Sequence, residues 1–138
     1  RGEVDTWGLL SDVLEAGKTL TLPKVVAPHR PLDFHAITVQ DGQWPLARGA
    51  FGVREPTDDC PIIPIQSLDL LLIPALAVSK TGERLGWGGG YYDRTLSMAT
   101  SIPTLALVFD CQVVDTLPTD AHDIAIAGWV SERGLSLL

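Results

Sequence analysis

Five glycines fall within nine residues, Gly82, Gly86, Gly88, Gly89 and Gly90, and Arg84 stands among them. Glycine lets a chain turn sharply and lets backbone N–H groups approach a ligand closely. A guanidinium matches phosphate with two parallel hydrogen bonds. Arg84 is therefore the candidate phosphate contact, and Gly86, Gly88, Gly89 and Gly90 are candidate amide donors. A loop of this composition is also a common tight connection. Its glycines alternate at 86, 88 and 90, which is neither the Gly-x-x-x-x-Gly-Lys-Ser/Thr pattern nor a good Gly-x-Gly-x-x-Gly fingerprint. Trp87 and Tyr91 offer flat faces that can stack on a ring, while core packing is the ordinary role for Tyr92. Lys24 and Arg54 are further cations for which ordinary surface roles serve equally well. His29, His35 and His122 show no metal-ligand spacing, and no nucleophile elbow is present.

The loop needs elements on both sides to hold it. Before it, Leu68-Asp69-Leu70-Leu71-Leu72-Ile73-Pro74 reads as a strand buried on both faces, as in a parallel sheet covered by helices, and Pro74 ends it. Residues 74–90 read as loop, and residues 91–99 as a helix whose N-terminus faces the same ligand. Residues 104–109 predict another apolar strand, 113–117 a short turn or helix, and 123–127 with 129–130 the strands that close the sheet. In the first half, Asp5 or Thr6 caps a helix to about Ala16, with Gly17 as its stop and Leu10, Val13 and Leu14 as its apolar stripe. Thr19–Leu22 is a strand ended by Pro23, residues 25–31 are loop, 32–39 a second strand and 41–43 a turn. Residues 44–67 hold four prolines and little periodicity, and read as an irregular crossover. Strands alternating with helices predict an α/β fold: an open, mostly parallel Rossmann-like sheet with helices on both faces, in a single domain over residues 1–138. Its ligand belongs beyond the carboxyl ends of the strands, where the glycine-rich loop begins.

The stretch Arg84-Leu85-Gly86-Trp87-Gly88-Gly89-Gly90-Tyr91-Tyr92-Asp93-Arg94 closely resembles the signature of the 5-formyltetrahydrofolate cyclo-ligases, Arg-Leu-Gly-x-Gly-x-Gly-Tyr-Tyr-Asp-Arg. Gly2–Thr6, Leu22-Pro23-Lys24 and Gly52–Pro56 agree in order with other parts of that family, so the resemblance covers nearly the whole chain. It implies an ATP-dependent ligase of cytoplasmic one-carbon metabolism that converts 5-formyltetrahydrofolate to 5,10-methenyltetrahydrofolate through a phosphorylated formyl intermediate. It implies ATP contact by Arg84, Leu85, Gly86, Trp87, Gly88, Gly89, Gly90, Tyr91 and Tyr92. It implies folate contact by Glu3, Trp87, Gly88, Gly89, Gly90 and Tyr91, with Glu3 holding the pterin, and Mg²⁺ ligation by Asp93. For Glu3 and Asp93 the ordinary alternative is a first-turn helix acid interacting with the dipole.

Two departures stand out. Ala77-Val78-Ser79 occupies the place of the family's Ala-Phe-Asp, and Ala127 stands where a second metal-binding acid is usual; Asp123 is the nearest substitute. The chain begins with Arg1, as expected of a fragment, a processed chain or a shortened homologue, and the family's phosphate-reaching Lys and Arg would precede it. These differences leave a second reading open: a non-catalytic folate- or nucleotide-binding relative with a regulatory role.

The 138 residues carry a net charge of −7 and are 46% hydrophobic, with a mean hydropathy of +0.20. An acidic chain is a poor non-specific nucleic-acid binder, although a few local cations can reverse the field in a cleft. No apolar run reaches the roughly 18 residues of a membrane span. Cys60 and Cys111 form no Cys-x-x-Cys pair, and reduced thiols are the expectation. Nothing in the sequence sets an oligomeric state.

Overall fold

A computed structural model describes residues 4–118 and 124–138; Glu3, His122 and Asp123 lie outside them. The described residues fall into two compact units, residues 5–67 and residues 68–118 and 124–138 with Val4. The class is mixed α/β, as the sequence predicts.

The first unit opens with α1 (Trp7–Glu15). Thr6 occupies the cap position without a side-chain cap bond, and Asp5 instead accepts the Trp7 N–H at 3.1 Å. At the other end Gly17 adopts a φ of 76°. Its N–H reaches Leu14 and that of Lys18 reaches Val13, the double closure that stops a helix at a left-handed glycine. The stripe of Leu10, Val13 and Leu14 packs on buried Leu20, Ile37 and Cys60 together with Trp44 and Leu46. Next come β1 (Thr21–Lys24) and β2 (Asp33–Ala36), which pair antiparallel. Pro23 lies inside β1 rather than ending it, because β1 is an edge strand where a missing N–H is tolerated. Asp41 and Gly42, with φ of 52° and 73°, make the tight turn expected at 41–43, closed by the Gln43 N–H on the Gln40 carbonyl at 2.8 Å. The stretch expected to be irregular, 44–67, instead contains an antiparallel hairpin of β3 (Leu46–Arg48) and β4 (Arg54–Pro56), and β5 (Ile62–Ile63) on β2. These strands are two or three residues long, too short to leave a period in the sequence.

The second unit holds a four-stranded sheet of β6 (Leu71–Pro74), β9 (Thr104–Leu107), β11 (Gly128–Ser131) and β12 (Gly134–Leu137), in the order β12-β11-β9-β6. Its β6, β9 and β11 run parallel and β12 returns antiparallel. The expectation that β6 is buried on both faces is corrected: Leu71 and Ile73 are buried while Leu72 is 37% exposed. This edge strand covers one face only, so the apolar run of 68–73 overstates its burial. Residues 124–127, expected to be strand, precede β11 as coil.

The supposed loop 74–90 holds a hairpin of β7 (Ala77–Ser79) and β8 (Arg84–Leu85). The segment read as a turn or helix at 113–117 supplies β10 (Val113–Val114), which runs parallel to β7. Finally α2 spans Tyr91–Leu96 rather than 91–99. Beyond it Met98 and Ala99 make i→i−3 bonds to Thr95 and Leu96, the tightened last turn in which α-helices often end. No helix among the described residues is long and apolar enough to cross a membrane.

Candidate functional site

The β7–β8 hairpin places Arg84. Leu76 and Ser79 donate their N–H groups to the carbonyls of Leu85 and Glu83, and Gly82 turns the chain between the strands with a φ of 97°. Arg84 Nε donates to the Pro74 carbonyl at 2.8 Å. Its guanidinium carbon lies 5.2 Å from the centre of the Tyr92 ring. The side chain is thus held at the carboxyl end of β6, where the sheet rule puts a ligand. A Cβ on Gly86 would come within 3.1 Å of both terminal nitrogens of Arg84. Glycine at 86 therefore leaves the guanidinium room to lie close to the loop backbone.

The loop itself is open. Among the described residues, the N–H groups of Gly86, Gly88, Gly89 and Gly90 donate to no backbone carbonyl. Gly88 and Gly90 have φ of 96° and 71°, a region glycine enters without cost. Trp87 and Leu85 are 46% and 48% exposed, whereas Tyr91 and Tyr92 are half-buried at the start of α2. Arg94 lies over the Tyr91 ring at 5.1 Å. Two guanidinium groups therefore flank residues 86–90, a local positive field in a chain of net charge −7. Because α2 has only six residues, its dipole is smaller than that of the helix over 91–99 which the sequence predicts.

Two participants were not legible as such. Arg94 closes the motif, and nothing in the sequence shows that its guanidinium returns to the Gly89 carbonyl. Glu83 accepts a 2.6 Å hydrogen bond from Ser79 Oγ and another from the Thr81 hydroxyl. These two bonds, Ser79 first, hold its carboxyl below the ordinary value. The Ser79 hydroxyl in turn accepts the N–H groups of Glu83 at 2.9 Å and Thr81 at 3.3 Å, and Ser79 is fully buried. Position 79 thus ties a turn. An aspartate there could accept the same N–H groups but could donate nothing to Glu83. The i, i+4 spacing of Ser79 and Glu83 was the available signal.

Asp93 lies in the first turn of α2. Among the described residues no three His, Cys, Asp or Glu side chains gather to hold a metal ion. A single carboxylate suits Mg²⁺ only when phosphate oxygens and water complete its octahedron. Ala127 is tied by its N–H to the Thr104 carbonyl at 2.8 Å and offers no side-chain ligand. In the other unit, Lys24 Nζ is engaged by the Pro56 carbonyl and Asp58. Arg54 lies 5.7 Å over the Trp7 ring, so both cations have local work.

A family model described as the 5-formyltetrahydrofolate cyclo-ligase family matches residues 1–131. The chain belongs to this family. A 5-formyltetrahydrofolate cyclo-ligase of Mycolicibacterium smegmatis is 37% identical over 94% of this chain and 69% of its own length. The cyclo-ligase of Escherichia coli is 34% identical over 94% of the chain and 72% of its own. The solved 5,10-methenyltetrahydrofolate synthetase of Aquifex aeolicus superposes with a TM-score of 0.82 at 32% identity, covering 99% of this chain and 66% of that one. The chain therefore spans about two thirds of the length of these cyclo-ligase relatives.

Proposed function

We propose that the protein is an ATP-dependent cyclo-ligase that converts 5-formyltetrahydrofolate to 5,10-methenyltetrahydrofolate, releasing ADP and phosphate. The observation that carries this is the open row of amides at Gly86, Gly88, Gly89 and Gly90 beside Arg84, in a chain of this family. In this reading the residues from Arg84 to Tyr92 hold the nucleotide, and Trp87 and Tyr91 present flat faces to the folate. Glu3 accepts hydrogen bonds from the pterin. ATP transfers its terminal phosphoryl group to the formyl oxygen. The N10 amine attacks the activated carbon, its proton is lost, and phosphate leaves with the former formyl oxygen. No protein nucleophile is needed; catalysis is positioning plus stabilisation of phosphoryl charge. Asp93 is the residue that would hold Mg²⁺ with the nucleotide, where the ion would neutralise phosphate charge. The reading places the enzyme in the cytoplasm, with small molecules rather than nucleic acid or membrane as its partners.

The second reading, a binding relative without turnover, draws on the missing carboxylate at Ala127 and the lack of a three-ligand cluster among the described residues. Absorbance of methenyltetrahydrofolate separates the two. Product that forms only with ATP and Mg²⁺ supports the ligase. Nucleotide and folate binding without product supports the binder.

A further inference from the structure

Arg94 is the charged residue of the loop region whose placement the proposed nucleotide contacts leave unexplained. Its Nη2 donates to the Gly89 carbonyl at 2.7 Å. Its guanidinium lies over the Tyr91 ring. A Cβ on Gly90 would stand 2.7 Å from its Nη1. Its Nε is buried with no hydrogen-bond partner. An arginine free to turn to water would not leave a donor orphaned, so the bond to Gly89 and the stacking on Tyr91 fix it where it is.

Across a planar trans peptide the carbonyl and the following N–H point in opposite directions. The bond from Arg94 draws the Gly89 carbonyl toward the guanidinium and so turns the Gly90 N–H away from it. That N–H is one of the amides that donate to no backbone carbonyl. We infer that Arg94 is a positioning residue: it sets the Gly89–Gly90 peptide so that the loop presents N–H groups, not carbonyls, to the phosphates of the nucleotide. This rests on the nucleotide reading of the loop. It adds a role for a residue packed beside the loop, next to a position whose φ of 71° favours glycine on its own account. The planar fork matters more than the charge, because one edge bonds the carbonyl while the face packs on Tyr91.

The test uses Arg94→Gln and Arg94→Lys in the full chain. Backbone order parameters of Gly89 and Gly90 should fall from about 0.85 to below about 0.6 in both variants, with β9 residues 104–107 unchanged. The KM for ATP should rise about tenfold while kcat changes less than threefold. Arg94→Lys should stay within threefold of Arg94→Gln, because it keeps the charge and loses the fork. The inference is overturned by unchanged order at Gly89 and Gly90, by equal loss of order in β9, by a fall in kcat at constant KM, or by full restoration with lysine. If the parent chain forms no methenyl product, the ligase reading falls. The order parameters and the affinity for a non-hydrolysable ATP analogue, expected to weaken about tenfold, still decide the role of Arg94.

Discussion

Each unit contains a glycine turn flanked by arginines, and the two behave oppositely. In the first unit residues 49–53 join β3 to β4 between Arg48 and Arg54. The space left by the missing Cβ of Gly49 is filled by the carboxylate of Glu55, which accepts the Val25 N–H at 2.8 Å and is 8% exposed. The loop amides of Gly49, Gly52 and Val53 are taken by carbonyls of the same turn. In the second unit the space at Gly86 and Gly90 is filled by the guanidinium groups of Arg84 and Arg94, and the amides stay available. Glycine count does not make an anion site. What enters the vacated space, and whether it leaves the amides free of carbonyls, separates a closed turn from a cradle.

The sharpest break of this contrast is Arg84→Ala. Nucleotide affinity should fall by roughly 1.5–3 kcal/mol, the scale of a charge-assisted hydrogen bond, as calorimetry with an ATP analogue would read. Stability should also fall by about 1 kcal/mol, because the Nε bond to Pro74 is lost. Gly49→Ala tests the other side. Displacing the Glu55 carboxylate should cost about 2 kcal/mol of unfolding free energy in a urea titration, with nucleotide affinity unchanged. A loss of affinity there would show that the two turns are not independent. Gly90→Ala forces a left-handed conformation on alanine at a cost of about 1–2 kcal/mol and collides with Arg94. It should therefore lower both stability and affinity, whereas Gly88→Ala meets no neighbour within 4 Å and should show only the backbone cost. The smallest effect concerns Glu83. Its carboxyl is held below the ordinary value by Ser79 and Thr81, so its contribution is present above the unfolded pKa and disappears as pH falls through the folded one. Thermal midpoints of the parent should drop through that acidic window more than those of Glu83→Gln. Parallel curves would remove Glu83 from the account.

Much of this was legible because long-range chemistry and local punctuation agreed. Gly17 ends α1, Asp41-Gly42 makes a turn, and residues 104–107 form a strand, each from a signal held in a few neighbouring residues. The glycine loop was visible as an open turn from its composition, and as a family motif from its order of residues. The hairpins β3–β4 and β7–β8 were not, since strands of two or three residues are specified by partners elsewhere in the chain rather than by a period. For the same reason the sequence singled out Arg84 as a candidate phosphate contact but not its anchor, a carbonyl ten residues upstream. Position 79 read as a lost acid, although its buried hydroxyl closes a turn on Glu83.

The bond between Arg84 and Pro74 also bears on self-association. β6 is one of the two edge strands of the four-stranded sheet among the described residues, and unpaired edges template the addition of strands from other molecules. At the carboxyl end of β6, Pro74 has no N–H to offer, and Arg84 occupies its carbonyl. The same side chain that faces the candidate ligand thus blunts a sticky edge. Variants of Arg84 made for binding studies should accordingly be checked for concentration-dependent aggregation, because they would return a backbone acceptor to the rim of the sheet.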